Sequence, residues 1–219
     1  MGVLTNAKIQ ARAAIVFGIA FLTLLALLHF LEPEFHPSWR LISEYEIGKY
    51  GFLMVVAFFC WGAGFLALTL SLWHQLPFVS GTIGKWWLLI ISIALFGAGI
   101  FTTNPITEEV RSTTDRLHAL CGALMIFTFP IASVLMSRSL TKNRSFAPRK
   151  AQIIWLEVFV WVGLFAFFGA LVIYKPQGRQ YNETVLIGWP NRFMVFAYTL
   201  WLIGIARISA KQGSASYEK

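Results

Sequence analysis

The fold of this chain follows from residues 52–73, which read FLMVVAFFCWGAGFLALTLSLW. The stretch contains no charged side chain. A helix rises about 1.5 Å per residue and a bilayer core is about 30 Å thick, so about 20 apolar residues suffice to cross it. We therefore predict that residues 52–73 form a membrane-spanning helix.

Five further segments are similarly apolar. The six predicted spans are Ala13–Leu31, Phe52–Trp73, Trp86–Phe101, Leu117–Met136, Ile153–Tyr174 and Phe193–Ile208. Strands of a β-barrel alternate apolar and polar residues, whereas these runs are continuously apolar, which excludes a barrel. The sequence thus predicts an all-α, polytopic membrane protein: a six-transmembrane-helix bundle that forms a single domain over residues 1–219.

The composition supports a fold that uses lipid as its solvent. Of the 219 residues, 57% are hydrophobic and 13% are charged, about half the charged fraction of a soluble domain. The 20 Phe and 9 Trp suit helices that face lipid and helix ends that lie at its interfaces. This balance excludes a water-soluble globular domain.

The charges predict an orientation. With six spans both termini share a face, and Lys and Arg are retained on the cytoplasmic side. The face of the termini carries the following eleven: Lys8, Arg12, Lys85, Arg138, Lys142, Arg144, Arg149, Lys150, Arg207, Lys211 and Lys219. The other face carries seven, which are Arg40, Lys49, Arg111, Arg116, Lys175, Arg179 and Arg192. We therefore expect both termini in the cytoplasm, with anionic lipid rather than nucleic acid facing the basic side.

The acidic residues gather on the predicted outer face, where both signs of charge mix. Arg40 and Glu44 are four residues apart in a helical pattern that we expect to continue into the second span, so they should pair. Asp115 and His118 are three apart at the start of the fourth span and should share a helix face. Arg192 leads into the sixth span.

Features inside the spans mostly predict packing. The repeated Gly-Ala-Gly at 62–64 and 97–99 should let helices approach closely. Pro130 should loosen the fourth span by removing a backbone donor. Glu157 lies about one turn inside the fifth span, where its carboxylate could reach water or Lys150, or could serve a function.

Two blocks of the sequence resemble a known family. The first is Arg40-Leu41-Ile42-Ser43-Glu44-Tyr45 with Gly48, Tyr50 and Gly51, and the second is residues 99–105, reading GIFTTNP, with Thr114 and Leu117-His118. Both are similar to signatures of a bacterial and archaeal six-span membrane family, catalogued as a domain of unknown function, number 998 in its series. The resemblance covers nearly the whole chain. It implies six spans in a prokaryotic cell (inner) membrane, and it supplies no reaction.

The outer polar residues support three functional hypotheses. In the first, a site that binds a lipid headgroup or small amphiphile is formed by Arg40, Glu44, His118 and Arg192. In the second, a membrane-embedded hydrolase or transferase acts on lipid through Ser43, Glu44, Asp115 and His118. There His118 would be the general base, oriented by Asp115 or Glu44. The third is a small-solute transporter, although the predicted spans contain no relay of acidic residues across the membrane midplane.

Cofactors and partners are expected as follows. His29, His36 and His118 lie on the outer face among carboxylates, but their spacing is not that of a compact zinc site. Haem would require histidines facing each other deep within the helices. We therefore predict no metal and no cofactor, membrane lipids as partners and no nucleic acid; the sequence does not indicate an oligomeric state.

Overall fold

All regular elements of the described residues are helices. The computed structural model describes residues 2–174 and 181–215, with side chains for 6–174 and 181–211. Helices α1 to α7 span Gly2–Leu31, Gly51–Leu72, Val79–Ile100, Thr113–Ala123, Phe129–Lys142, Lys150–Ile173 and Gly188–Ala215. Two 3₁₀ helices, Ile42–Ile47 and Ala147–Arg149, and a π-helical segment, Leu124–Thr128, lie between them. Lys175, Arg179 and Lys219 from the charge count lie outside the described residues.

The predicted six-span, all-α architecture is confirmed. Within the described residues, six helical stretches are long and apolar enough to cross a membrane, and α4, the π segment and α5 form one of them, Thr113–Lys142. Six crossings put both chain ends on one face, here called the terminal face. The opposite face, here called the site face, holds residues 32–50, 101–112 and 181–187.

The third span begins earlier than the sequence predicts. Helix α3 starts at Val79 rather than Trp86 and therefore includes Lys85. The ammonium group of Lys85 donates to the carbonyl oxygens of Trp73 (2.6 Å) and Leu76 (3.3 Å), which follow the end of α2. Neither carbonyl has a partner within a helix, since both lie in the connection after α2, so the buried lysine and this connection satisfy each other.

The prediction that a helix runs from Arg40 into the second span without a break is wrong. The 3₁₀ helix ends at Ile47, and α2 begins only at Gly51. The buried carboxylate of Glu32, just after α1, accepts a hydrogen bond from the backbone N–H of Tyr50. Gly48 touches the same carboxylate so closely that a Cβ there would overlap it. The carboxylate of Glu32 therefore holds the chain in the break between the 3₁₀ helix and α2.

The helices form a closed ring of neighbours. Helix α1 packs on α2 and α7, α2 packs on α3, α3 packs on α4 and α5, α5 packs on α6, and α6 returns to α7. The repeated Gly-Ala-Gly serves packing as predicted. Gly62 lies against α3, where Ser92 donates to its carbonyl oxygen (2.8 Å), and Gly97 lies against the sulfur of Cys121.

Aromatic side chains fill the middle of the bundle. Phe21 of α1 stacks on Trp61 of α2, with ring centroids 4.4 Å apart. Phe129 of α5 contacts the rings of Phe65, Tyr198 and Trp201, with centroids between 4.7 and 5.3 Å apart. Phe65, Phe129, Tyr198 and Trp201 are fully buried, so the centre of the bundle is closed by rings.

Glu157 forms no ion pair with Lys150 and is instead hydrogen-bonded within the bundle. Its carboxylate accepts hydrogen bonds from the hydroxyls of Ser133 and Ser137 (both 2.9 Å) and from the indole N–H of Trp161 (3.0 Å). The two serines belong to α5 and are buried. The acid of α6 therefore joins these two helices through side-chain hydrogen bonds.

Pro130 loosens the fourth span as predicted, and the structure shows how the loss is compensated. In an α-helix the N–H of residue 130 would donate to the carbonyl of Ile126, and proline has no N–H. The helix widens to π geometry over Leu124–Thr128. The hydroxyl of Tyr198 in α7 donates to the carbonyl oxygen of Ile126 (2.9 Å) in place of the missing donor.

A double-mutant cycle tests this compensation. We expect Tyr198→Phe to lower the free energy of unfolding by about 0.5–2 kcal/mol, because a carbonyl in an apolar surrounding loses its donor. In a Pro130→Ala background the alanine N–H can serve Ile126, so the same change should cost clearly less. Unfolding in mixed detergent micelles with rising dodecyl sulfate measures both values. Equal costs in the two backgrounds would contradict the assignment.

Candidate functional site

A cavity of about 570 Å³ lies beneath the site face, with walls from α2, α3, α4, α6, α7 and the first two loops of that face. One part of its lining is polar. The polar residues are Ser43, Glu44, Thr103, Asn104, Arg111, Asp115, Arg116, His118 and Asn191. The part that lies deeper in the bundle is apolar and includes Trp61, Met125, Phe167, Val195 and Tyr198. The cavity is therefore amphipathic, with its polar end toward the site face.

The cavity lies where the upper half of the fourth span loses its contact with α6. Both halves pack on α3, and below the π segment α5 packs on α6 as well, whereas above it α4 packs mainly on α3. Within α4 only Asp115 and His118 are buried, while Ala119 and Leu120 are exposed. Packing between helices therefore does not seal the side between α4 and α6, and that side faces the lipid region.

Glu44 is held at the polar end by three donors. The guanidinium of Arg40 lies 2.9 Å from its Oε1 atom, which confirms the predicted pair. The backbone N–H of Ile106 donates to the same oxygen (2.7 Å), and that of Leu41 donates to Oε2 (3.0 Å). Burial raises the pKa of Glu44, and these contacts, which favour the carboxylate, oppose that rise. Glu44 thereby joins the first and second loops of the site face.

Asp115 organises the second loop of the site face. Its Oδ1 atom accepts hydrogen bonds from the hydroxyl of Thr103 (3.1 Å) and the backbone N–H of Asn104 (2.8 Å), and it lies 3.5 Å from the guanidinium of Arg111. Its own N–H is capped by the hydroxyl of Ser112 (3.1 Å) at the start of α4. The carboxylate is thus occupied by donors of its own loop.

His118 is accompanied by Glu46, a residue that the sequence analysis did not single out. Both side chains are buried. Nδ1 of His118 lies 2.8 Å from the carbonyl oxygen of Phe101 and 3.4 Å from Oε2 of Glu46. Asp115 lies on the same face of α4, as predicted, but its hydrogen bonds go elsewhere. The contact joins the 3₁₀ helix of the first loop to α4, and no spacing within the sequence signals it.

Glu46 has an unusual environment for an acid. Its Oε2 atom accepts a hydrogen bond from the N–H of Thr103 (3.3 Å), and its Oε1 atom is buried without a hydrogen-bond partner among the described residues. Burial raises the pKa of Glu46 to about 8, and the bond from Thr103 counteracts only part of that effect. At neutral pH this carboxyl group is therefore mostly protonated.

Arg192 lies behind the cavity wall, in a buried network. Its Nε atom donates to Nε2 of His29 (2.7 Å), and its Nη2 atom donates to the hydroxyl of Tyr45 (3.0 Å). Its Nη1 atom donates to the carbonyl oxygens of Arg40 (2.6 Å) and Gly188 (3.1 Å). These bonds explain why α7 begins at Gly188, five residues before the predicted start of the sixth span.

The predicted site residues thus occupy two different places. The four candidates for catalysis, which are Ser43, Glu44, Asp115 and His118, all line the cavity. Of the four candidates for ligand binding, Glu44 and His118 line it. Arg40 and Arg192 are not among the described residues that line it, and their groups bind Glu44 and the ends of α1 and α7.

Some polar groups of the lining keep free donors. Arg116 is exposed at the polar end and makes no ion pair with the described residues. Asn191 accepts a hydrogen bond from the N–H of Ile42 through its oxygen (3.3 Å), and its amide nitrogen has no protein partner in the described part of the chain. The hydroxyl of Ser43 has none there either.

Among the described residues, no cluster of three or more His, Cys, Asp or Glu could hold a metal ion.

The raised pKa of Glu46 predicts a pH dependence of stability. In the unfolded chain this carboxyl group loses its proton near pH 4.5, whereas in the folded protein it keeps the proton until about pH 8. Between these values the folded state binds more protons, so the free energy of unfolding falls as the pH rises, by at most about 1.4 kcal/mol per pH unit.

We expect Glu46→Gln to flatten this slope in detergent unfolding curves at pH 5–9. Glu34→Gln, at an exposed carboxyl group of the same loop, should keep it; equal slopes for all three proteins would contradict the prediction.

Comparison with known proteins supplies a family. A family model described as protein of unknown function (DUF998) matches residues 15–208. Neither the curated proteins nor the solved structures yield a match to the chain. The match covers all six spans and both loops that hold the cavity's polar end. The chain therefore belongs to the DUF998 family.

Proposed function

We propose that the cavity binds an amphiphile, with a lipid headgroup or a similar polar head at the site face and the apolar chain between α4 and α6. The observation that carries this proposal is the form of the cavity. Polar groups line the end near the site face, apolar side chains line the deeper part, and the wall between α4 and α6 is not sealed by packing. A fully water-soluble ligand would make no favourable contacts with the apolar part.

The free donors favour a head rich in acceptor oxygens. Glu44 and Asp115 are already occupied by protein donors, and Glu46 is mostly protonated at neutral pH. The groups left for a ligand are the guanidinium of Arg116, the amide of Asn191 and the hydroxyl of Ser43. Guanidinium groups pair strongly with phosphate and carboxylate. An amphiphile with an anionic head therefore suits the cavity best.

A hydrolase or transferase that acts on lipid at the same place is the second candidate. It is favoured by one observation: His118, with Glu46 at 3.4 Å, lies in the cavity lining together with Ser43. A nucleophilic serine needs a hydrogen bond to its base. No such bond joins Ser43 to His118 among the described residues, so binding ranks first.

Transport of a small solute ranks third. A transport path must continue through the bundle, and the cavity is lined at depth by Trp61 and Tyr198. Beyond them the buried rings of Phe65, Phe129 and Trp201 fill the centre. A path to the terminal face would require these rings to separate.

We further propose that the terminal face is cytoplasmic and that the membrane is the prokaryotic cell membrane. The support is the excess of Lys and Arg on that face, eleven against seven. The connection from the end of α5 to the start of α6, residues 142–150, supplies Lys142, Arg144, Arg149 and Lys150 on its own.

Single cysteines test this orientation. The native Cys60 and Cys121 would first be replaced by alanine, and cysteine would then be introduced by Arg144→Cys or Glu34→Cys, at exposed positions on opposite faces. In intact cells a membrane-impermeant maleimide should label the Glu34→Cys protein at least about tenfold more than the Arg144→Cys protein, because a bilayer blocks charged reagents. Detergent should then make both reactive. The opposite labelling pattern would reverse the orientation.

The binding proposal is tested by filling the cavity. Gly122 lines it, and a Cβ at this position would meet no heavy atom within 4 Å. Gly122→Leu therefore adds volume to the cavity from a position where a Cβ meets no neighbouring atom. We expect it to weaken binding of dodecyl phosphate about tenfold or more, since overlap with the ligand should cost over about 1.4 kcal/mol. Native mass spectrometry of the detergent-purified protein measures the binding.

The matched control is Gly169→Leu. Gly169 is also a helical glycine with no heavy atom within 4 Å of a Cβ, and it lies outside the cavity lining. This variant should bind dodecyl phosphate like the wild type. If Gly122→Leu also bound it with unchanged affinity, the ligand would not occupy the cavity and the proposal would fail.

A further inference from the structure

A second hollow lies at the opposite end of the bundle, on the terminal face. It is a groove of about 660 Å³ between α6 and α7. Its rim and walls are formed by Arg149, Gln152, Trp155, Arg207 and Lys211, and its deeper part by Leu156, Phe159, Leu200, Gly204 and Ile208. This groove shares no residue with the cavity of the site face.

The charge in the groove is entirely positive. Arg149, Arg207 and Lys211 are exposed, and none of them forms an ion pair with another described residue. The nearest acid along α6 is Glu157, whose carboxylate is bonded to Ser133 and Ser137 of α5 and so does not neutralise them. Three exposed cations around one hollow whose lining contains no acid favour the binding of an anion there.

The deeper part of the groove is apolar and long. Along α7 its lining runs from Lys211 back to Leu200, about 16 Å at the rise of a helix. Gly204 lets α6 approach closely at its floor, because a Cβ there would overlap the side chain of Leu156. The exposed Trp155 on the rim is the residue type that collects at the headgroup level of membranes. A free phosphate ion would use the rim only, whereas a phospholipid would use both parts.

We infer that this groove binds an anionic glycerophospholipid, with its phosphate at Arg149, Arg207 and Lys211 and its first acyl carbons against Phe159 and Leu200. Guanidinium groups hold phosphate oxygens in pairs. Basic pockets between spanning helices take anionic headgroups on the cytoplasmic side, which is the proposed side of the terminal face. The bound lipid would bridge α6 and α7 without reaching the cavity between α4 and α6.

Titration of the full chain in detergent with single lipids tests the inference. Native mass spectrometry would follow phosphatidylglycerol, phosphatidylcholine and inorganic phosphate as probes. We expect wild-type protein to prefer phosphatidylglycerol over phosphatidylcholine at least about fivefold, and millimolar inorganic phosphate not to displace it. The triple variant Arg149→Gln, Arg207→Gln, Lys211→Gln should lose about tenfold in affinity for phosphatidylglycerol, because it removes all three charges of the rim.

A matched triple variant separates the groove from the general charge of the face. Arg138→Gln, Lys142→Gln, Arg144→Gln removes the same charge from exposed positions of the same face outside the groove, and it should change affinity less than about threefold. Gln152→Glu, a single change inside the groove, should weaken phosphatidylglycerol binding several-fold even if the triple variant proves unstable. Equal losses in both triple variants, unchanged affinity in Gln152→Glu, or displacement by inorganic phosphate would overturn the inference. Dodecyl phosphate could also enter this groove, so its binding is compared with and without Gly122→Leu in the triple variant of the rim. That comparison reports on the cavity alone, and either site can therefore fail without the other.

Discussion

A charged group that is buried at the end of a membrane-spanning bundle must find all its partners within the protein, because few waters are available to it. The guanidinium of Arg192 meets this requirement with four acceptors: the imidazole of His29, the hydroxyl of Tyr45 and the carbonyls of Arg40 and Gly188. These acceptors lie on α1, on the first loop of the site face and on α7 itself. One side chain thus fixes the relative position of three elements, and the loop carries Glu44 and Glu46 toward the cavity as a consequence.

The cavity itself depends on a backbone defect below that loop. Because Pro130 cannot donate, the fourth span widens to a π segment, and Tyr198 of α7 supplies the missing hydrogen bond to Ile126. The span therefore stays attached to α7 at that depth. Both of its halves lie against α3, and α5 below the π segment also packs on α6, whereas α4 above it packs mainly on α3. π-Helical segments are frequent at functional sites. Here three residues of the segment, Met125, Ile126 and Phe127, line the apolar part of the cavity.

The sequence predicted the elements whose cause is local. Continuous apolar runs predicted the six spans, and a four-residue spacing predicted the ion pair of Arg40 and Glu44. Both features depend only on residues that are close in sequence. Helix starts at Val79 and Gly188 were missed, since each helix carries a buried cation whose acceptors lie outside the helix, just before α3 for Lys85 and in the first loop of the site face for Arg192. Glu46 was missed as the partner of His118 for a related reason: the break between the 3₁₀ helix and α2 is held by a carboxylate at the end of α1, which no local pattern encodes.

The two arginines that the sequence analysis placed in a binding site illustrate why a loss on mutation is a poor guide to function in this family. Removing Arg192 would leave four acceptors without donors, and removing Arg40 would leave Glu44 buried without its cation. Either change would move the polar end of the cavity, so binding would fail whether or not these side chains touch a ligand. Gly122 has no partner to lose, and a side chain added there changes only the space available. The loss of binding in Gly122→Leu is therefore compared with that in Gly169→Leu, which adds the same volume outside the cavity. This comparison distinguishes a ligand site from the hydrogen-bond network that supports it.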